Sequence, residues 1–143
     1  MNQRPFKILG IDHVGIAVKS LDGLSDIFDD IFGLERSSTE IIHDQNVITD
    51  IYYTGNSNLE FLSPTDIHSP ISKFINKKGP GMHHISLIVD DLQAALSYLE
   101  ERNIHLIDTA PRIGAEGNKI AFIHPKSTGG VLLELCEKND NTV

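Results

Sequence analysis

The sequence predicts an α+β fold: two βαβββ modules that pair into one half-closed mixed β-sheet barrel. Three observations predict it. A strand-like segment around His13 recurs around His84. In each half that strand passes into a helical stripe and then into three further strand-like runs. A chain of 143 residues can bury the core of one such domain. The expected organisation is a single domain over 1–143, with a first module at 8–64, a linker with a short helix at 65–80, and a second module at 81–138.

The repeat is read by setting Ile11-Asp12-His13-Val14-Gly15-Ile16-Ala17-Val18 beside Met82-His83-His84-Ile85-Ser86-Leu87-Ile88-Val89. His13 matches His84 and Val18 matches Val89, each at the same offset, and both segments have the β-branched character of strands. In the first module Leu21, Leu24, Ile27, Phe28 and Ile31 recur every three or four residues. That spacing predicts one apolar helical face, with Ser20 as N-cap and Gly33 at the C-terminal end. Strand runs follow at Leu34–Ile42, Asn46–Thr54 and Asn58–Leu62, with Gly55-Asn56-Ser57 as a turn. Ser69 and Pro70 open the linker helix as N-cap and first helical residue. In the second module Leu92, Ala95, Leu96 and Leu99 form the stripe behind Asp90 or Asp91. Strand runs follow at His105–Ile107, Lys119–Ile123 and Val131–Cys136.

Composition removes several function classes. The formal net charge is -8, with 22% charged residues. Nonspecific binding to nucleic acid or to an anionic membrane needs clustered Lys and Arg, so neither partner is expected. An anionic small molecule is still compatible with a local basic patch. No apolar run approaches the ~20 residues of a transmembrane helix. The opening Met1–Lys7 carries no apolar stretch or small-residue cleavage site, which makes cytoplasmic residence the expectation. Cys136 is the one cysteine, so no intramolecular disulfide forms, and its strand setting points to an apolar role.

Polar residues inside apolar strands carry the functional signal. In Asn58-Leu59-Glu60-Phe61-Leu62 and Val131-Leu132-Leu133-Glu134-Leu135, a carboxylate stands where strand alternation places it against apolar neighbours. Burying a carboxylate is costly unless it is paired or bound to a metal. Alone, His13 would read as a hydrogen-bonded strand histidine and Glu60 as a solvent-facing glutamate. The repeat changes that reading. His13 and His84 open their modules and Glu60 and Glu134 close them, giving one imidazole and one carboxylate from each copy. Such an N/O donor set suits Zn, Co, Ni, Mn or Fe. No zinc-finger spacing, phosphate loop or nucleophile elbow is present.

These residues resemble the vicinal oxygen chelate superfamily, which includes glyoxalase I, extradiol dioxygenases and bleomycin-resistance proteins. Within it the chain is most similar to the methylmalonyl-CoA epimerase family. The resemblance is carried by Ile11–Ala17, Asp66–Phe74, Gly79–Ile85, Pro111–Ala115 and, most specifically, His124-Pro125-Lys126-Ser127-Thr128-Gly129-Gly130-Val131-Leu132-Leu133-Glu134-Leu135. It implies one divalent ion (Co, Zn, Ni or Mn) on His13, Glu60, His84 and Glu134. It also implies Glu134 and Glu60 as acid/base residues, Lys126 and Arg112 as contacts for CoA phosphates, and a homodimer. His83 would point away from the site. The implied substrate is an acyl-CoA or a glutathione thioester-type compound. One departure stands: several epimerases carry a glutamate, proposed as the second acid/base, where this sequence has Thr49. Lactoylglutathione lyase is the rival enzyme reading. A non-enzymatic small-molecule or antibiotic-binding protein is the rival from another class.

Overall fold

The computed structural model describes residues 3–139, so Met1 and Asn2 of the opening segment lie outside the described residues. Two compact units make up the chain. His13–His83 form one, and the residues up to Asp12 join those from His84 onward to form the other.

In the His13–His83 unit, strand β1 (Ile8–Ala17) runs parallel to β5 (Asn58–Pro64), with His13 level with Asn58 and Gly15 level with Glu60. β5 pairs antiparallel with β4 (Val47–Tyr53), placing Ile51 beside Glu60. The other edge of β4 is shared by β2 (Glu35–Arg36) and β3 (Glu40–Ile42). The run predicted over Leu34–Ile42 is therefore broken in two. Ser37 fills the gap, donating its N–H to the Ile51 carbonyl at 2.8 Å and accepting the Ile51 N–H on its hydroxyl at 3.1 Å.

The helix between β1 and β2 departs from the α-helical expectation. Asp26–Ile31 wind as a π-helix, with the Phe32 N–H donating to the Ile27 carbonyl at 2.9 Å. An i→i+5 turn holds more residues than an α turn, so the spacing from Leu24 to Ile31 no longer falls on a single face. Phe28 turns inward against Tyr52 and Phe61, while Ile27 and Ile31 are 45% and 75% exposed. Ser20 caps no helix; its hydroxyl accepts the Asp22 N–H in the preceding turn. Gly33, with φ of +72°, closes the segment in the left-handed region that glycine tolerates. The linker helix α1 (Pro70–Lys78) forms as predicted, with the Ser69 hydroxyl accepting the Ile71 N–H at 3.2 Å.

The second unit has the order β6 (Gly81–Val89), α2 (Leu92–Glu101), β7 (Arg112–Ile113), β8 (Lys119–Ile123) and β9 (Leu133–Glu137). β6 and β9 are parallel; β8 pairs antiparallel with both β9 and β7. Asp91 caps α2 by accepting the Ala94 N–H at 3.0 Å. The α2 stripe of Leu92, Ala95 and Leu96 buries against Phe6, Val89, Ala121, Ile123 and Leu135. Each larger aliphatic side chain removed from water in this way contributes about 1.5–3 kcal/mol. The strand predicted at His105–Ile107 reduces to a single bridge between Leu106 and Ile123. Beyond it the Asp108 carboxylate accepts the Phe122 N–H at 2.8 Å, so a side chain takes over from the ladder. The N-terminal segment is tied to this unit by two Lys7–Asp90 hydrogen bonds and by Lys138, whose Nζ stands 2.8 Å from Asp12 Oδ1. No helix among the described residues is long and apolar enough to cross a membrane.

Candidate metal centre

Each unit carries one buried imidazole–carboxylate pair. In the His13–His83 unit the parallel register of β1 and β5 puts His13 and Glu60 on one face, with Nε2 and Oε2 3.5 Å apart. In the other, β6 and β9 set His84 and Glu134 on one face, with Nε2 and Oε1 3.9 Å apart. All four side chains are buried. Both separations exceed a charge-assisted hydrogen bond of about 2.8 Å. Two donors each about 2.1 Å from a shared ion stand about 3–3.5 Å apart, so the His13–Glu60 pair has the spacing of co-ligands, while the His84–Glu134 pair, at 3.9 Å, is slightly wider. The donor chemistry and the burial both fit a divalent cation.

The strand faces carry further polar groups. Beside Glu60 the register aligns Gly15, Ile51, Thr49, Tyr53 and, one strand beyond Thr49, Glu40. Asp50 lies on the opposite face, where its carboxylate accepts from the Thr39 hydroxyl at 2.6 Å and pairs with Arg36 at 3.5 Å. In the other unit Ser86 is level with Glu134. Its hydroxyl is fully buried and has no hydrogen-bond partner among the described residues. Phe122 shares that face and meets the His84 ring edge-on at 5.4 Å. Cys136 is buried against Ile120 and Phe122, in the apolar role its strand implies.

Arg112 sits on β7 level with Ile120, its guanidinium 5.8 Å from the Phe122 ring centre and its Nε 3.3 Å from Asp108. It therefore shares a face with His84 and Glu134, two strands from Glu134. Lys126 occupies an exposed turn after β8, where its N–H donates to His124 Nδ1 at 3.0 Å. His83 alternates away from His84 and packs edge-on against Phe74 of α1, ring centres 4.9 Å apart. Burial and the nearby Lys78 charge lower its pKa to about 4. Glu40 and Ser86 are polar site-face residues that sequence reasoning did not single out. Ser86 follows His84 by two, so strand alternation alone reaches it, whereas Glu40 needs the β3–β4 register.

Residues 12–122 match the profile of the glyoxalase/bleomycin resistance protein/dioxygenase superfamily. The chain belongs to that superfamily. Among curated members, mitochondrial methylmalonyl-CoA epimerase of Dictyostelium discoideum is 40% identical over 130 residues, covering 90% of this chain and 78% of the relative. Among solved structures, methylmalonyl-CoA epimerase of Mycobacterium tuberculosis superposes with a TM-score of 0.87 at 35% identity, covering 92% of this chain and 89% of that one. A Streptomyces coelicolor methylmalonyl-CoA epimerase variant, solved with 2-nitronate-propionyl-CoA, gives a TM-score of 0.89 at 31% identity. That alignment covers 94% of this chain and 97% of the S. coelicolor one. A buried His–Glu pair recurs in both units.

Proposed function

We propose that this superfamily member is a methylmalonyl-CoA epimerase whose His13, Glu60, His84 and Glu134 hold one divalent ion (Co, Zn, Ni or Mn). The observation that carries the reading is the buried His–Glu pair of each unit, in a chain similar to epimerases over nine-tenths of its length. Supporting a shared ion, His13, His84 and Glu134 make up a buried set in which each residue offers one ligand atom. When bound, the ion supplies Lewis-acid stabilisation of the negative charge that develops on the substrate oxygens.

The rest of the chemistry falls to the chain. Epimerisation removes the proton next to the thioester carbonyl and returns one to the opposite face, which takes a base and an acid. Glu134 is the proposed base. Glu60 is the carboxylate on the His13 side of the site and the first candidate for the other role. Arg112, on the Glu134 face, and Lys126, in the exposed turn, are the proposed cationic contacts for CoA phosphates. A glutathione-linked substrate, as in lactoylglutathione lyase, is the second reading. Glu60 as fourth ligand and the absence of a carboxylate at Thr49 favour it, while the run from His124 to Leu135 favours the epimerase.

Glu134→Ala is expected to lose bound divalent metal and at least 100-fold of epimerase activity together. The check is elemental analysis of the purified protein, beside deuterium exchange of the methylmalonyl-CoA α-proton. Wild-type protein that holds no metal and exchanges no proton overturns the proposal. Turnover of the methylglyoxal–glutathione adduct without exchange would transfer it to the lyase.

A further inference from the structure

Resting on the metal-centre reading, we infer that Ser86 is a positioning residue for Glu134: its hydroxyl donates to the Glu134 carboxylate when that carboxylate binds the divalent ion. Ser86 acts through Glu134 and touches neither the ion nor the substrate.

The hydroxyl is out of keeping with its surroundings. Ser86 stands in β6 between Ile85 and Leu87, is 0% exposed, and its Oγ has no hydrogen-bond partner among the described residues. A hydroxyl closed to water gives up its hydration and here regains nothing, which is a net cost to the fold. The other buried serines are partnered. Ser63 donates to the Lys19 carbonyl at 2.9 Å, and Ser69 donates to the Gln45 carbonyl at 3.3 Å while capping α1.

The register names an acceptor within the same unit. Ser86 is level with Glu134 in the parallel β6–β9 pair, and neighbouring strands lie about 4.8 Å apart with level side chains on one face. Glu134 leans toward β6, because its Oε1 lies 3.9 Å from Nε2 of His84, two residues before Ser86 on that face. The other groups around Ser86 on this face are poorer acceptors. Ile88 is apolar, and Cys136, level with Ile88, packs against Ile120 and Phe122. His84 turns its Nε2 to Glu134. An ionised carboxylate only accepts, with about four lone-pair sites on its two oxygens, so an ion leaves room for a hydroxyl.

Two mismatches are then resolved together. The His84–Glu134 separation is wider than the roughly 3–3.5 Å between donors on one ion, so Glu134 must shift to bind. Ser86 lacks an acceptor. A carboxylate that moves onto the ion, and is met by a Ser86 hydroxyl re-aimed by rotation about Cα–Cβ, removes both. Contacts that orient a metal ligand from behind typically change metal affinity about 10–100-fold. The hydroxyl therefore destabilises the metal-free protein and stabilises the metal-bound one.

The test titrates chelator-stripped wild type, Ser86→Ala and Ser63→Ala with cobalt(II) and with zinc(II) by calorimetry, and follows thermal unfolding of each stripped protein. Ser86→Ala is expected to raise the Tm of the stripped protein by about 2–4 °C, since it removes an unpartnered buried hydroxyl. It is also expected to weaken metal binding, with Kd rising about 10-fold and by no less than about threefold. Opposite signs in the two readouts separate positioning from a merely structural role. Ser63→Ala, which removes a partnered hydroxyl, is expected to lower Tm and keep Kd within about threefold of wild type. The inference is overturned if Ser86→Ala fails to raise the Tm of the stripped protein, if it binds metal within about threefold of wild type, or if Ser63→Ala weakens binding as much. A crystal structure of the metal-loaded wild type gives the direct check. Ser86 Oγ within about 3.2 Å of a Glu134 carboxylate oxygen supports the inference, and a longer separation overturns it. A wild type that takes up neither ion refutes the metal centre itself, and the role of Ser86 falls with it.

Discussion

The side chain of Tyr52 is fully buried against Phe28 and Phe61, and its hydroxyl has no hydrogen-bond partner among the described residues. Burial, reinforced by the Asp50 charge, raises its pKa, so the phenol stays neutral and dry. A buried hydroxyl without a partner costs about 1–3 kcal/mol. Tyr52→Phe is therefore expected to stabilise the fold by about 1 kcal/mol, raising Tm by about 2–4 °C in a thermal melt. A lower Tm would show that the hydroxyl has a partner in solution. Glu60 and Glu134 are legible in the sequence because a charge inside an apolar strand contradicts its surroundings. The unpartnered hydroxyls of Tyr52 and Ser86 are not, because whether a hydroxyl finds a partner is decided by neighbouring strands.

Among elements, the two helical stripes show where sequence patterning holds and where it fails. The α2 stripe and its Asp91 cap follow α-helical spacing and land on the core as expected. The earlier stripe, from Leu21 to Ile31, has the same spacing but its Asp26–Ile31 part winds as a π-helix, and aromatic contacts of Phe28 take precedence over burial of Ile27 and Ile31. Spacing cannot report which winding the packing selects. The short strands at Glu35–Arg36 and Arg112–Ile113 are likewise fixed by edge pairing, not by their own residues. The packing of β6 on α1 carries a pH consequence through His83. Its pKa falls from 6.5 to about 4, by burial against Phe74 and then by Lys78. Between those values the unfolded chain binds a proton that the folded one refuses, so this group's contribution to stability falls as pH drops through the window. The linkage limit is about 3 kcal/mol by pH 4. Chemical denaturation of wild type and His83→Gln at pH 7 and pH 4.5 isolates it from the carboxylates. The variant is expected to lose less stability between the two, and equal losses would contradict the assignment.

At the scale of the molecule, the repeat made the two buried His–Glu pairs of the candidate site legible together, since one pair predicts the other. The tie between the chain's ends was not legible, because nothing local marks Asp12 and Lys138 as partners. Burial works against the Lys138 ammonium, but the hydrogen bond and charge of Asp12 outweigh it and raise its pKa. Lys138→Met removes the cation beside the buried Asp12 carboxylate and, with Lys138 partly screened by solvent, is expected to cost about 1 kcal/mol. Adding Asp12→Asn should recover part of that loss, and a full double-mutant cycle by urea denaturation measures the coupling. The same tie bears on the order in which the protein is made. Residues 13–83 form a contiguous unit, whereas the other is assembled from both ends of the chain. As the ribosome releases the polypeptide N-terminus first, the contiguous unit has all its residues early. The opening strand's first half must wait for Asp90 and, later still, for Lys138 before its ties to that unit are complete.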